Sequence, residues 1–158
     1  MKLFLDSAIT DEIKKYYNTG LIDGVTTNPT LIYKSGRDPE DVYQELIDIG
    51  IPDISMEVVG DENTMIGEGR RLIKKFGNRQ ATIKVPCTVE GLAACRALSD
   101  EGARVNVTLI FSLAQSILAF KSGATYISPF VGRVDDNSFN GLELIKEITA
   151  TFLSLIHI

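Results

Sequence analysis

The sequence predicts an α/β fold, because short β-rich runs alternate with amphipathic helical stretches along its 158 residues. Two further observations support this prediction. The connections between the runs are short, and repeated strand–helix units of this kind form parallel sheets with right-handed crossovers. Polar residues also recur toward the carboxyl ends of the β-rich runs. That distribution is typical of parallel strands that line a functional site at one rim of the sheet.

We predict six strands and six helices, which alternate from the amino terminus. The strands fall near residues 2–6, 22–27, 53–58, 81–85, 104–109 and 124–128. The helices fall near residues 9–18, 39–49, 62–76, 89–101, 112–121 and 140–153. Asp61 and Ser112 precede two of these helices and are residue types that cap helix amino termini. Glycines follow four of the helices, where a left-handed residue is favoured: Gly20, Gly77, Gly102 and Gly123.

Two architectures fit this pattern, the eight-stranded barrel and the open doubly wound sheet. The dinucleotide-binding form of the open sheet carries Gly-x-Gly-x-x-Gly directly after a strand. The nearest match, which begins at Gly67, lacks the third glycine and falls inside a predicted helix. Side-chain alternation is more informative, because successive strand residues point to opposite faces. One face is aliphatic and suits packing against helices: Leu3, Leu5, Ile54, Met56, Val58, Ile83, Val85, Val105, Val107 and Leu109.

The opposite face of the strands is polar toward their carboxyl ends. With a helix after every strand, such a face indicates a barrel interior with a functional layer at its carboxyl-terminal mouth. We therefore predict a (β/α)8 TIM barrel, here represented by about six βα units of an incomplete barrel. The residues that share the polar face are Asp6, Thr26, Asn28, Glu57, Lys84, Asn106, Thr108 and Ser128.

Composition excludes several classes of function. The formal charge of −5 and the pI near 4.9 argue against nucleic acid or an anionic membrane as the main partner. No apolar run approaches the ~18 residues that a membrane span needs. The amino terminus reaches an acidic residue, Asp6, too early for a signal peptide, so we expect a cytoplasmic protein.

Cysteine and histidine are too sparse for several kinds of site. Cys87 and Cys95 are the two cysteines, and they form no Cys-x-x-Cys pair. The single histidine, His157, is the next-to-last residue. We therefore expect no structural zinc site, no disulfide framework and no histidine-based triad. We also expect no metal or organic cofactor.

Lys84 lies in the apolar run Ala81–Pro86 and is the candidate nucleophile. A charged amine is costly in a buried strand, and burial favours the uncharged form, which can attack a carbonyl and form a Schiff base. Such an intermediate withdraws electrons from C2 of a ketose, so the bond between C3 and C4 can break. The alternative is a lysine on an edge strand that reaches solvent.

The other polar residues suit the remaining steps of this chemistry. Asp6 is placed to act as a general base on the C4 hydroxyl. Asn28, Asn106 and Ser128 offer neutral hydrogen bonds to sugar hydroxyls, and Arg133 follows the sixth strand, where it can contact a phosphate. Glu57 and Thr108 are candidates to hold a water that moves protons during dehydration. Each has a structural alternative: Asp6 or Ser128 as a cap, and Arg133 as a surface charge.

Five segments in order resemble the small transaldolase family. They are Leu3-Phe4-Leu5-Asp6-Ser7, Gly24-Val25-Thr26-Thr27-Asn28-Pro29-Thr30, Ile83-Lys84-Val85-Pro86, Asn106-Val107-Thr108-Leu109-Ile110-Phe111-Ser112 and Ser128-Pro129-Phe130-Val131-Gly132-Arg133. The resemblance runs from Met1 to about Phe152. It implies a Schiff-base lysine at Lys84, an acid–base carboxylate at Asp6 and a pair that holds the catalytic water at Glu57 and Thr108. It also implies a phosphate contact at Arg133 and positions around a dihydroxyacetone unit at Thr26, Asn28, Asn106 and Ser128.

Two positions separate the branches of this family. In the fructose-6-phosphate aldolases of this family, the similar segments have Gln at the position of Glu57 and Tyr at the position of Phe130. A tyrosine hydroxyl there helps to protonate and release free dihydroxyacetone, whereas Phe130 favours holding the enamine for an acceptor aldehyde. The resemblance therefore implies a transaldolase, which acts on sugar phosphates. The alternatives are a fructose-6-phosphate aldolase and an inactive sugar-phosphate-binding fragment.

The resemblance also bears on domain organisation. We expect residues 1–152 to form a partial TIM-barrel domain and residues 153–158 to be a non-native or truncated tail, because a complete barrel has eight units. Without the missing strands we expect unpaired sheet edges, poor activity and a tendency to aggregate. For the full-length protein the resemblance implies a homo-oligomer.

Overall fold

The computed structural model describes residues 1–155 and divides into two compact units, which begin at Met1 and at Val85. Residues 156–158 lie outside the described part, and with them His157 and half of the predicted tail. We refer to residues 1–84 as the amino-terminal unit and to residues 85–155 as the carboxyl-terminal unit.

Within residues 1–155, six strands alternate with eight helices, and the order of the strands in the sheet follows the chain. The prediction of an α/β fold with about six βα units of a (β/α)8 barrel is confirmed. The strands are β1 Phe4–Asp6, β2 Gly24–Thr26, β3 Ile54–Glu57, β4 Ala81–Pro86, β5 Arg104–Ile110 and β6 Tyr126–Pro129. The helices are α1 Thr10–Tyr17, α2 Pro29–Ser35, α3 Pro39–Ile49, α4 Glu62–Phe76, α5 Val89–Asp100, α6 Leu113–Lys121, α7 Val131–Asp136 and α8 Gly141–Leu155.

In the amino-terminal unit, β1, β2, β3 and β4 pair in parallel. Helices α3 and α4 cover this sheet, and Tyr43 on α3 meets Phe76 on α4 edge to face, with 5.9 Å between ring centres. The aliphatic strand residues are buried as predicted, with the exception of Leu3, which precedes β1 and is half exposed, and Leu5, which is only partly buried. The core of this unit includes Val25, Val42, Leu46, Ile54, Met56 and Ile83.

In the carboxyl-terminal unit, β5 and β6 pair in parallel, with a shift of register between Val107 and Ile110. Leu109 has a φ of 61°, which is rare for a residue with a side chain. The prediction that Leu109 faces the helices is wrong: its exposed fraction is 37%, and Ile110 is fully buried instead. A bulge of this kind interrupts the two-residue alternation on which the prediction depended.

The predicted helix caps are confirmed. The side chain of Asp61 accepts a hydrogen bond from the backbone of Thr64 over 2.8 Å, and Ser112 does the same for Gln115 over 3.3 Å. The four predicted glycines, Gly20, Gly77, Gly102 and Gly123, all have a positive φ, between 75° at Gly20 and 91° at Gly123. None of the helices in the described residues is long and apolar enough to cross a bilayer.

Candidate functional site

A polar layer covers one face of the sheet in the amino-terminal unit. Asp6 is in register with Thr26, Thr26 with Ser55, and Ser55 with Thr82. Two residues further along, Glu57 is in register with Lys84. Because residues in register on parallel strands point to the same side, these side chains share a face, as the alternation predicted.

Lys84 lies at the centre of this layer. Its exposed fraction is 4%, which rules out the alternative of an edge-strand lysine that reaches solvent. The Nζ atom lies 3.1 Å from Oε2 of Glu57 and donates a hydrogen bond to the carbonyl oxygen of Thr27 over 3.0 Å. The carboxylate of Glu57 is therefore within reach of the amine to accept a proton from it. This arrangement suits an amine that must lose a proton before it attacks a carbonyl.

Asp6 is exposed at the end of β1 and is held by its neighbour on β2. The hydroxyl of Thr26 donates a hydrogen bond to Oδ1 of Asp6 over 2.8 Å. The structural alternative for Asp6 was a cap, yet the residue before α1 is Ile9, which makes no side-chain cap. Asp6 is therefore an oriented carboxylate that is open to a ligand, as a general base requires.

Asn28 has a structural role that sequence reasoning did not assign. It is the amino-terminal cap of α2, and its Oδ1 accepts a hydrogen bond from the backbone of Leu31 over 2.9 Å. Pro29 occupies the first turn of this helix, where its missing N–H costs nothing. The cap fixes the orientation of the Asn28 amide, and its role in sugar binding stays a prediction.

Below Lys84 the polar layer continues with residues that the sequence analysis did not select. The hydroxyl of Thr82 donates to Oδ1 of Asp53 over 2.7 Å, and both residues are buried. Thr27 was also missed, although its carbonyl oxygen contacts the Lys84 amine. A backbone acceptor cannot be identified from the sequence, because every residue has a carbonyl group. The i, i+2 spacing of Asp53, Ser55 and Glu57, by contrast, is a sequence signal for this polar layer.

In the carboxyl-terminal unit, two more of the predicted residues meet. The hydroxyl of Ser128 on β6 donates a hydrogen bond to Oδ1 of Asn106 on β5 over 2.9 Å. Asn106 is buried, with an exposed fraction of 3%, and Ser128 is partly buried. An oriented amide and hydroxyl on adjacent strands can bind a hydroxyl-bearing ligand.

Thr108 is buried with an exposed fraction of 1%, and its Oγ1 has no hydrogen-bond partner within the described residues. A buried hydroxyl without a partner costs free energy, so such groups usually have a bound water or a catalytic role. Thr108 directly precedes Leu109, whose left-handed backbone bulges β5. Strained backbone of this kind clusters at functional sites.

Phe130 and Arg133 follow β6. The Phe130 ring meets Phe111 edge to face, with 5.4 Å between ring centres. Arg133 is exposed on α7, 3.6 Å from the carboxylate of Asp136, and lines a cavity of about 620 Å³ together with Phe111, Ser112, Asn137 and Asn140. Arg133 is therefore accessible to an anionic ligand, and its role as a phosphate contact stays a prediction.

The cysteines take no part in these groups. Cys87 is half-buried and Cys95 is buried, and burial raises the pKa of both thiols, which makes them less reactive at neutral pH. In the part of the chain that the structure describes, no three Asp, Glu, Cys or His side chains are grouped as metal ligands.

Comparison with known proteins identifies a family that fits this arrangement. The family model described as "Transaldolase/Fructose-6-phosphate aldolase" matches residues 3–157, and so extends past the boundary predicted near residue 152. A protein of Caldicellulosiruptor saccharolyticus named "Probable transaldolase" is 54% identical over 96% of this chain and 70% of its own length. One of Erythrobacter litoralis with the same name is 52% identical over the same shares.

Among solved structures, the fold is similar to the carboxyl transferase domain of Rhizobium etli pyruvate carboxylase. The TM-score is 0.52 at 12% identity, over 80% of this chain. The match spans 26% of that protein's chain. At this identity the similarity concerns the fold alone.

Proposed function

Because the chain belongs to the transaldolase/fructose-6-phosphate aldolase family, we propose that it is a transaldolase that uses Lys84 as a Schiff-base nucleophile. It moves a dihydroxyacetone unit from fructose 6-phosphate to erythrose 4-phosphate, a step of the pentose phosphate pathway. The observation that carries this proposal is the burial of the Lys84 amine between a carboxylate and a backbone carbonyl. The proposal extends to a cytoplasmic location and to a homo-oligomer.

The first step forms the covalent intermediate. Lys84 transfers a proton to Glu57, 3.1 Å away, and the free amine adds to the C2 carbonyl of fructose 6-phosphate. The resulting carbinolamine loses water and becomes a protonated imine. The unpartnered hydroxyl of Thr108 is a group that can bind the water released or consumed in this step.

The second step breaks the carbon chain. Asp6, oriented by Thr26, accepts the proton of the C4 hydroxyl. The C3–C4 bond then breaks, its electron pair moves into the imine, and glyceraldehyde 3-phosphate departs from an enamine that stays on Lys84. The imine accepts these electrons itself, which is why the proposal includes no cofactor.

The third step transfers the three-carbon unit. The enamine attacks the aldehyde of erythrose 4-phosphate, a new C3–C4 bond forms, and Asp6 returns its proton to the new hydroxyl. Hydrolysis of the imine releases a seven-carbon ketose phosphate and regenerates the lysine. In this proposal Thr26, Asn28, Asn106 and Ser128 bind the hydroxyls of the dihydroxyacetone unit, and Arg133 binds a phosphate.

Phe130 favours transfer over simple aldol cleavage. Its ring packs against Phe111 and has no hydroxyl that can protonate the enamine. The enamine then stays bound to Lys84 until an acceptor aldehyde arrives, and free dihydroxyacetone is not released. Fructose-6-phosphate aldolase activity remains the alternative, and a sugar-phosphate-binding chain without turnover is the third.

Borohydride trapping tests the nucleophile. We expect incubation with fructose 6-phosphate and borohydride to leave a reduced dihydroxyacetone adduct on the peptide that contains Lys84, as detected by mass spectrometry. Lys84→Met abolishes the adduct, whereas Lys75→Met, which alters a surface lysine paired with Glu40, keeps it. Absence of an adduct in the unaltered chain would favour binding without turnover. A requirement for erythrose 4-phosphate in multiple turnover distinguishes a transaldolase from an aldolase.

A further inference from the structure

Thr27 is completely buried and lies directly after β2, whose last residue is Thr26. Its carbonyl oxygen accepts the hydrogen bond from Nζ of Lys84 over 3.0 Å. The chain leaves the sheet at this point, because Asn28 is the amino-terminal cap of α2 and Pro29 lies in its first turn. Strand ends open more easily than strand centres, so a carbonyl at this place needs other support to keep its direction.

Two hydrogen bonds tie Thr27 to the neighbouring strand. Its backbone N–H donates to the carbonyl oxygen of Ser55 over 3.2 Å, and its side-chain hydroxyl donates to the same oxygen over 2.9 Å. A carbonyl oxygen can accept both bonds, because it has two lone pairs. Ser55 is a firm anchor, since it lies within β3 and is paired with β2 on one side and with β4 on the other.

The hydroxyl of Thr27 restricts the direction of its own carbonyl. The N–H and the hydroxyl belong to two different arms of one residue, and a bond from each arm to the same acceptor opposes rotation of the residue about the chain direction. A β-branched side chain has few accessible χ1 rotamers, so a bonded threonine hydroxyl leaves the backbone little freedom. The carbonyl therefore stays directed at the Lys84 amine.

The two partners of the amine differ in rigidity. The Glu57 carboxylate, 3.1 Å from Nζ, is at the end of a side chain with three rotatable bonds. It also changes its charge when it takes up the proton of the amine. The Thr27 carbonyl belongs to the backbone, and it can accept a hydrogen bond from the ammonium, the free amine and the protonated imine alike, because each of them has an N–H.

We propose that Thr27 is a positioning residue, whose hydroxyl holds its own carbonyl against the Lys84 amine and so directs the nitrogen at the substrate carbonyl. This inference rests on the proposed role of Lys84 as the nucleophile. Loss of the hydroxyl leaves the backbone bond to Ser55 and the substrate contacts of other residues in place, but it lets the Thr27 carbonyl turn. The covalent step is then slowed, because small displacements of a reacting group cost rate.

The test compares two replacements of Thr27 in the full chain. Thr27→Val keeps the shape and removes the hydroxyl, whereas Thr27→Ser keeps the hydroxyl and removes a methyl group. The control is Thr10→Val, which alters a buried threonine whose hydroxyl oxygen accepts a hydrogen bond from Arg37 over 3.0 Å. The measured quantity is the rate at which the borohydride-trapped adduct forms, as a function of the concentration of fructose 6-phosphate.

We expect Thr27→Val to lower the maximal rate of adduct formation about tenfold, with the half-saturating concentration changed less than about twofold. Thr27→Ser stays within about twofold of the unaltered chain, because the hydroxyl restores the second bond to Ser55, and Thr10→Val leaves the rate unchanged. A serine variant as slow as the valine variant would assign the effect to packing and overturn the proposal. A valine variant as fast as the unaltered chain would overturn it as well.

A second measurement does not depend on the reaction. Amide hydrogen exchange, read by NMR, reports how firmly the N–H at position 27 is held against Ser55. We expect its protection factor to be about fivefold lower in Thr27→Val than in Thr27→Ser, because the strand end opens more often without the hydroxyl. Equal protection in the two variants contradicts the proposal.

The two measurements separate failure of this inference from failure of the proposed function. If the unaltered chain forms no borohydride adduct, the proposed function fails, and the exchange ratio alone decides whether the hydroxyl holds the carbonyl at the amine. If the chain forms the adduct and the valine and serine variants react equally fast, the inference fails and the proposed function stands. Should Thr27→Val not fold, Thr27→Ala and Thr27→Ser differ by the hydroxyl alone and are judged by the same two ratios.

Discussion

Lys84 and Glu57 place opposite charges side by side in a largely buried part of the sheet. Only 6% of the Lys84 side chain and 13% of the Glu57 side chain are exposed. Burial of each charge alone costs several kcal/mol, and the attraction between them offsets that cost. The pair is therefore weak evidence for stability, but removal of one partner leaves the other without compensation.

Replacement of the lysine alone tests this balance. We expect Lys84→Met to lower the free energy of unfolding by about 2 kcal/mol, less than for a fully buried pair because Glu57 keeps some contact with water. Urea unfolding at pH 7 measures the loss. The double variant Lys84→Met, Glu57→Leu recovers most of it, because no charge remains unpaired. A single variant as stable as the unaltered chain would contradict this account.

Two buried threonines provide a second test. Thr108 has no hydrogen-bond partner within the described residues, whereas Thr82 donates to Asp53. We expect Thr108→Val to leave stability unchanged or to raise it by about 1 kcal/mol, and Thr82→Val to lower it by about 1–3 kcal/mol. If Thr108 binds the catalytic water, its variant also slows adduct formation about tenfold. Equal losses of stability in both variants would show that Thr108 is bonded in solution.

At the scale of secondary structure, the sequence predicted the long elements and missed two short helices. Helices α2 and α7 have seven and six residues. Neither is long enough to show an apolar stripe over two turns, which is the signal that revealed the others. The Asn28-Pro29 pair and Gly36, which ends α2 with a φ of 69°, were the local signals available for α2.

Helices α3 and α4 are joined on their exposed side by a charge network. Glu40 on α3 accepts hydrogen bonds from Lys75 and Arg71 on α4, and Arg71 also pairs with Glu68 over 2.7 Å. The hydrogen bond with Lys75 is the largest cause that lowers the pKa of Glu40 below its usual 4.5. The pKa of Glu68 is lowered chiefly by Arg71.

These shifts predict a specific pH dependence. A carboxylate with a lowered pKa in the folded state contributes stability above its unfolded pKa, and that contribution is lost as the pH falls through the folded value. We expect Glu40→Gln to cost at most about 1 kcal/mol at pH 7, since the network is exposed. The difference from the unaltered chain shrinks as the pH falls below 4.5 and also shrinks in 1 M NaCl. A difference independent of pH and salt would assign the effect to packing.

At the scale of the whole molecule, the acidic charge and the sheet edges decide how the chain behaves in solution. Within the described residues, β1 pairs with β2 alone and β6 with β5 alone. A strand at the edge of a sheet favours association with other chains. Net charge of −5 opposes that association, and salt weakens the opposition.

Sedimentation velocity tests the edge. We expect reversible association that grows with concentration and salt, and we expect Ile127→Lys on β6 to reduce it severalfold, because a charge on an edge strand blocks pairing. Leu21→Lys is the control, since Leu21 is an exposed apolar residue outside the strands, with an exposed fraction of 70%. If both variants reduce association equally, net charge rather than the edge is responsible.

The sequence by itself determined the alternation of strands and helices, the polar face of the sheet and the identity of Lys84 as its unusual residue. These follow from local rules, because side-chain period and capping chemistry depend on neighbours in the chain. The polar face therefore predicted that Asp6, Glu57 and Lys84 belong to one site, without knowledge of any contact between them.

Only the tertiary structure decided which atoms meet. The contact between the Thr27 carbonyl and the Lys84 amine joins residues that are 57 positions apart in the chain. Likewise, because of the bulge at Leu109, Ile110 is buried and Leu109 is exposed, whereas the alternation predicted that Leu109 would be buried. Backbone acceptors and bulges arise from the packing of segments distant in sequence, where a one-residue shift changes which side chain faces the core. Such a one-residue shift cannot be predicted from a local sequence pattern.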